Sequence, residues 1–391
     1  MNTIEELLNL TVQFGGSDLH IKGDTPPLVR VRGDLLPLNM PPLTVDEARA
    51  LSFSAITELQ KQRFEEELEL DFAYSMPGVA RFRGNLFQQR GNVQSVFRHI
   101  PLKIQTMAEL GIPEVCRFFS ERPRGLVLIT GAAGTGKTTT LAAMIDYINE
   151  HYPLHIMTIE DPVEFVHTDK KALINQRELY RDTHSFSNSL RAVLRQDPDV
   201  ILVGEMRDLE TMALAVTAAE TGHLVFGTLH TTDAVQTIDR VIDVFPQYQQ
   251  QQIRMQLSVN LVGVVSQTLV KTIDGTSRIA AFETLVGVPS VRSLIREGKS
   301  HQISSLIQTG MKQGMMTMDQ SLSHLVREGL VAFEEGLAHA QNITEFTFLC
   351  KGQDEDIIDI APADSMSFDP SPTPIAQPHS GPRLPFGFKR S

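Results

Sequence analysis

The chain has 391 residues, 41% of them hydrophobic and 21% charged, with a formal net charge of −12 and two cysteines. That length exceeds a single typical core and predicts two domains, the composition is ordinary for a globular protein, and no apolar stretch approaches the length of a membrane span. The acidic balance argues against broad nucleic-acid binding, and Cys116 and Cys350, far apart in sequence, provide neither a disulfide framework nor a paired metal motif.

The N-terminus, MNTIEELLNL, is acidic and lacks a basic, apolar signal pattern, so a cytosolic protein is expected. Residues 2–14 read as an amphipathic helix with Ile4, Leu7, Leu8 and Thr11 on one face, followed by a Gly15-Gly16 break. Ser17–Lys22 and Leu28–Arg32 alternate like short strands, with turns at Gly23-Asp24 and Gly33-Asp34. Helical patterns return over Thr44–Ile56, which opens on a Thr44/Glu47 capping box, and over Thr57–Glu67. Leu70–Ile100 reads as strands joined by hairpin turns at Pro77-Gly78 and Gly91-Asn92. Residues 1–100 are therefore expected to form a smaller α+β domain, a sheet with helices to one side, that has no active-site motif of its own. Its hairpins carry Arg81, Arg83, Arg90 and Arg98. Charged residues at alternate positions mark a solvated strand face. Equally, Arg81 and Arg83 point the same way, and a guanidinium pair suits the phosphates of a nucleotide held by another domain or subunit.

Residues 101–124, with Pro101, Gly111-Ile112-Pro113 and Pro123, look like a hinge into a second domain spanning 125–350. There the pattern becomes apolar strand, helix, apolar strand, helix, with strands expected at Gly125–Thr130, His155–Glu160, Val200–Val203 and Leu224–Leu229. Near-continuous apolar runs are strands buried on both faces, so the fold class is α/β with a largely parallel sheet covered by helices. Ligands of such sheets bind at the carboxyl ends of the strands.

The first of these strands runs into Gly131-Ala132-Ala133-Gly134-Thr135-Gly136-Lys137-Thr138, which fits the phosphate-binding pattern G-x-x-x-x-G-K-[ST] between a strand and a helix over Lys137–Asn149. Such a loop aims backbone N–H groups and a helix dipole at one small volume, and that volume suits a phosphate chain. Gly131, Gly134 and Gly136 let the backbone approach, Lys137 neutralises the terminal phosphates of ATP, and the Thr138 hydroxyl holds Mg²⁺. Three other strand ends carry chemistry. The strand ending at Ile159 runs into Glu160-Asp161-Pro162-Val163-Glu164, three carboxylates beside the phosphate loop, Val200–Val203 runs into Gly204 and Glu205, and Leu224–Leu229 ends at His230. A nucleoside triphosphatase needs an acid for hydrated Mg²⁺, a base or orienter for water and a group that senses the terminal phosphate. Gly204 stands where the second motif of such enzymes ends its strand in Asp, so Mg²⁺ falls to Glu205 and Asp161, and either Glu164 or Glu205 activates water. His223 and His230 lie at opposite ends of one strand and do not suit a shared metal.

Beyond His230 helical patterns are expected at Ala234–Phe245, Gln249–Val270, Val291–Glu297, Ile303–Thr309 and Met318–Leu330. Ile253, Leu257, Leu261, Val264 and Val265 form a stripe read as core packing. Residues 351–391 shift to an acidic, Pro- and Ser-rich composition, the mark of a disordered tail.

These residues resemble a known family, the pilus-retraction and type II or type IV secretion ATPases. Its Asp box looks like Thr158–Glu164 (TIEDPVE), its Walker B region like Val203–Asp208 (VGEMRD) and its His box like Gly222–Thr231 (GHLVFGTLHT). Asp239–Pro246 (DRVIDVFP) is also similar, as is Ser290–Glu297 (SVRSLIRE), which the family writes AIRNLIRE, so Ser290, Val291 and Ser293 depart conservatively. The resemblance covers about residues 1–345 and is nearest to the retraction motors of twitching motility. It implies a PAS-like N-terminal domain, a RecA-like P-loop ATPase domain and a homohexameric ring. It further implies work at the cytoplasmic face of the inner membrane against a pilus platform protein, acting through it on the pilin fibre. Arg81 and Arg83 are the best match to N-terminal arginines that reach the phosphates, and Ser290–Lys299 to a lever that transmits motion.

Three rivals share parts of this pattern. A nucleic-acid translocase would be expected to show a basic tract. A non-hydrolysing relative would be expected to lose the lysine or an acid, whereas Lys137, Glu164 and Glu205 are all present. Extension ATPases carry a long extra N-terminal region and a four-cysteine zinc site, for which two cysteines do not suffice. A retraction paralogue stays open.

Overall fold

A computed structural model describes residues 3–31 and 33–351 and divides them into two compact units, one of residues 3–31, 33–70, 85–97 and 351, the other of residues 71–84 and 98–350. The predicted tail lies, from residue 352 onward, outside the described residues.

The first unit opens on α1 (Ile4–Gln13), whose Thr3/Glu6 capping box satisfies two of its free N–H groups and whose buried face is Ile4, Leu7, Leu8 and Thr11. Strands β1 (Asp18–Ile21), β2 (Leu28–Val31) and β3 (Asp34–Pro37) form an antiparallel meander. Helices α2 (Val45–Ser54) and α3 (Glu58–Glu67) each begin on a capping box, Thr44/Glu47 and Thr57/Gln60. Strands β4 (Glu69–Met76), β5 (Ala80–Gln89) and β6 (Asn92–Ile100) complete a six-stranded sheet in the order β3-β2-β1-β6-β5-β4. Leu7, Leu8, Leu19, Val29, Leu86 and Phe97 are fully buried. The β4–β5 hairpin tip, residues 71–84, belongs to the second unit.

Within the stretch read as a hinge, α4 (Val115–Ser120) puts Cys116 and Phe119 into the second unit's core. Then come β7 (Gly125–Thr130), α5 (Lys137–His151), β8 (His155–Glu160), β9 (Leu173–Glu178), α6 (Phe186–Val193), β10 (Val200–Val203), α7 (Leu209–Glu220) and β11 (Leu224–Leu229). After α8 (Ala234–Asp243) and α9 (Gln247–Asn260) the chain forms β12 (Leu261–Lys271) and β13 (Arg278–Val286). It closes on α10 (Pro289–Glu297), α11 (Ile303–Thr309), α12 (Met318–Arg327), α13 (Phe333–His339) and α14 (Ile343–Lys351). The seven strands run β13-β12-β7-β11-β10-β8-β9, parallel throughout except for the β12–β13 pair. Every residue of β7, β10 and β11 is buried, as strands covered on both faces must be.

One element differs from its sequence expectation. The apolar run expected to stay helical to Val270 leaves the helix at Asn260 and continues as β12. Its valines and leucines pack on both sides of a central strand, and Gly263 sits where a Cβ would strike the Phe119 ring. The stripe Ile253, Leu257, Leu261, Val264 and Val265 is nonetheless all core, since a short apolar run satisfies either period.

Both edges of the seven-stranded sheet are partly occupied. On β13 the Phe282 N–H donates to Ser321 Oγ (3.0 Å), and Thr284 exchanges backbone bonds with Met316 (2.9 and 3.2 Å). On β9 the Ile174 and Glu178 N–H groups donate to the carboxylates of Asp169 (3.0 Å) and Asp182 (2.9 Å).

Candidate active site

The loop after β7 is shaped by contacts that exclude side chains. Gly131 has φ +143°, and a Cβ there would collide with the Gln267 carbonyl oxygen. Gly136, at φ +90°, is the N-cap of α5 and offers no side chain to cap it. The first N–H groups of this 15-residue helix therefore lack intrahelical and capping acceptors, and the positive end of its dipole lies beside them. An anion fits that place on chemical grounds.

A cleft of about 590 Å³ opens at this edge of the sheet, lined from the loop by Ala133, Gly134, Gly136, Lys137 and Thr138. The same cleft is lined by Asp161 and Glu164 after β8, by Glu205 after β10, by His230 after β11 and by Arg83 from β5. Gly131, Ala132 and Thr135 instead line a cavity of about 460 Å³ behind the loop.

Lys137 Nζ donates to the carbonyls of Gly131 (2.7 Å) and Ala132 (2.8 Å) and lies 3.5 Å from His230 Nδ1. His230 Nε2 is 2.9 Å from Glu205 Oε1, which also accepts from Arg207. A neutral imidazole accepting at Nδ1 and donating at Nε2 satisfies both neighbours. Burial pushes the Glu205 carboxyl up, but Arg207 and His230 outweigh it and hold the group below its ordinary value. Burial lowers Lys137, and Glu205 partly restores it. A cation–imidazole–carboxylate row thus crosses the floor of the cleft. Glu164 accepts from Arg83 (3.3 Å), whose Nε lies 3.7 Å from Asp71.

The arginine pair separates. Arg83 lines the cleft, while Arg81 is buried and donates to the Val163 carbonyl (2.8 Å), Ser75 Oγ (2.8 Å) and Glu178 (3.3 Å). Arg98 and Arg278 line the cleft as well. Arg278 opens β13, a strand that the sequence reading did not identify.

Glu160 is the acid that the sequence reading named but did not carry forward. It lines the cleft while 8% exposed, accepts from Thr158 Oγ1 (2.6 Å) and Gln176 Nε2 (3.1 Å), and burial pushes it up to about 7. It also accounts for Gly204, where a Cβ would stand 3.2 Å from Glu160 Cα and 2.9 Å from the Ile159 carbonyl oxygen. Its signal was position, the last residue of a largely apolar strand at the carboxyl edge, directly before Asp161. For Mg²⁺ the Thr138 hydroxyl and several carboxylates share one cleft, a donor set that suits an ion completed by phosphate oxygens and water.

Residues 102–329 match the family described as type II/IV secretion system protein. The type IV pilus retractation ATPase PilT of Pseudomonas aeruginosa is 54% identical over 338 residues, 86% of this chain and 98% of that protein. A twitching motility protein of Neisseria gonorrhoeae is 52% identical over 322 residues, 82% and 86% of the two chains. The crystal structure of the pilus retraction motor PilT with bound ADP superimposes with a TM-score of 0.82 at 44% identity, covering 88% of this chain and 99% of that one. With more than half of its length matched by one family and most of it aligned to two such relatives, the chain belongs to the type II/IV secretion system protein family.

Proposed function

We propose that this chain is an ATPase motor of type IV pilus retraction, the activity behind twitching motility. The row from Lys137 through His230 to Glu205 beside an uncapped helix N-terminus carries the ATPase reading. Similarity along nearly the whole length of the Pseudomonas aeruginosa retractation ATPase supports the pilus reading. Lys137 meets the terminal phosphates, and His230 relays their presence to Glu205. Both hydrogen bonds to Glu205 end on Oε1, which leaves Oε2 to hold water. Thr138 with Asp161 and Glu205 would hold Mg²⁺, which supplies charge stabilisation when bound. Glu164, paired with Arg83, is the second acid at hand for orienting water, and Arg83 stands where developing charge needs a cation.

The chain works as a homohexamer at the cytoplasmic face of the inner membrane, against a pilus platform protein. Among the described residues no helix is long and apolar enough to cross a membrane. Helix α10 offers the lever, with Val291 and Ile295 buried and Arg296 exposed. Deleting the gene should leave cells that keep surface pili, in excess, yet do not twitch. A Lys137→Ala copy should fail to restore movement, and the purified variant should lose Mg²⁺-dependent ATP hydrolysis. Cells without any pili would point to extension or secretion instead, and normal turnover by Lys137→Ala would refute the site.

A further inference from the structure

The phosphate loop is held from outside its own motif. Strand β12 runs beyond its last register pair with β7, Ser266 opposite Thr130, so Gln267 arrives beside the loop. Its backbone carbonyl stands where a side chain on Gly131 would have to go, and its side-chain Nε2 donates to the Thr135 carbonyl at 2.6 Å. The residue is 3% exposed, and its Oε1 is buried without a hydrogen-bond partner among the described residues. A carbonyl only accepts, so Thr135 fixes which end of the amide faces it.

Packing alone does not call for this residue. A methionine of the same length would fill the space without an orphaned acceptor, which is a net cost in any interior. Gly131, Ala132 and Thr135 border the 460 Å³ cavity together with Gln267, so on that side the amide is among the few groups that hold the loop. The Thr135 carbonyl and the Gly136 N–H belong to one planar trans peptide and point in opposite directions. Drawing the carbonyl toward β12 turns that N–H toward the cleft that Gly136 lines.

We propose that Gln267 is a positioning residue for the nucleotide, setting through the Thr135 carbonyl the direction of the N–H groups that meet the phosphates. The inference rests on the ATP reading above, which ADP binding by the wild type and its loss in Lys137→Ala test separately. Two variants of the full chain test Gln267 itself, Gln267→Met, which keeps length and loses the donor, and Gln267→Glu, which donates only when protonated. At pH 8 each should bind ADP about five- to tenfold more weakly in calorimetry and raise KM for ATP alike, with kcat at saturating ATP within about twofold of wild type. At pH 5.5 the deficit of Gln267→Glu relative to wild type should shrink and that of Gln267→Met should not. Unchanged ADP affinity, or a loss confined to kcat, overturns the proposal. If Gln267→Met does not fold, the pH dependence of Gln267→Glu decides the matter, and a deficit independent of pH overturns it.

Discussion

Arg81 and Arg83 lie two residues apart on one strand, yet removing them should have opposite consequences. Arg81 spends three donors, two of them on the buried Val163 carbonyl and Glu178 carboxylate, and Glu178, its charged partner, is 7% exposed and also accepts the Val163 N–H at 3.2 Å. Burial lowers Arg81 and raises Glu178, each partly offset by the other, the signature of a desolvated pair held by geometry. Arg81→Met strips the donors and strands a buried carboxylate, a change that costs about 3–5 kcal/mol. For a unit of this size that corresponds to a fall in Tm of about 6–20 °C. Arg81→Met/Glu178→Met should recover most of the loss, because a buried pair replaced by apolar groups is close to neutral. Arg83, with a side chain 41% exposed, should cost about 1 kcal/mol or less on conversion to Met while lowering ATP turnover. Thermal melts and steady-state turnover of the folded variants read both effects. An unchanged Tm in Arg81→Met with collapsed turnover would refute this reasoning and restore Arg81 to the phosphates.

Glu283 on β13 is 5% exposed and accepts the Ala234 N–H at 2.8 Å, and burial, reinforced by Asp233, pushes it up to about 7. A carboxyl raised above its ordinary 4.5 stabilises the fold most below that value and withdraws stability as pH climbs through 7. Glu283→Gln should therefore gain on the wild type between pH 5 and 8.5, by up to about 3 kcal/mol, in urea melts at the two ends. Parallel pH profiles would contradict it. Glu205→Gln should lower kcat about 10²- to 10⁴-fold while ADP affinity changes by a few-fold, because the acid acts on water and metal more than on phosphates. His230→Ala should do the same more mildly, and an equal loss of binding in either would make the row structural.

Strands β7, β8, β10 and β11 were legible residue for residue, since each is a bounded apolar run with both faces covered. The ends of those strands led directly to Lys137, Glu205 and His230. What stayed hidden was set by contacts distant in sequence. Alternation puts Arg81 and Arg83 on one face but says nothing of depth, and the acceptors that bury Arg81 come from Val163 and Glu178. Strand β9, LINQRE, is too polar to stand out because it is an edge, and Arg278 was missed with β13. The break at Asn260 is invisible to periodicity, because Leu261–Val265 suits either element until β7 and β13 claim it. Gln267 reads as one more polar residue in an apolar run, and only the neighbouring loop gives it meaning.

The partly occupied edges of the seven-stranded sheet bear on how copies of this chain associate. With hydroxyl, carboxylate and main-chain partners already on β9 and β13, the N–H groups of Ile174, Glu178, Phe282 and Thr284 are not open to a second chain. Strand addition is disfavoured along these stretches. A contact between copies at these stretches falls to side chains. A seam made of side chains has no fixed register of backbone bonds, so two copies joined that way tilt and slide by small steps without anything being unzipped.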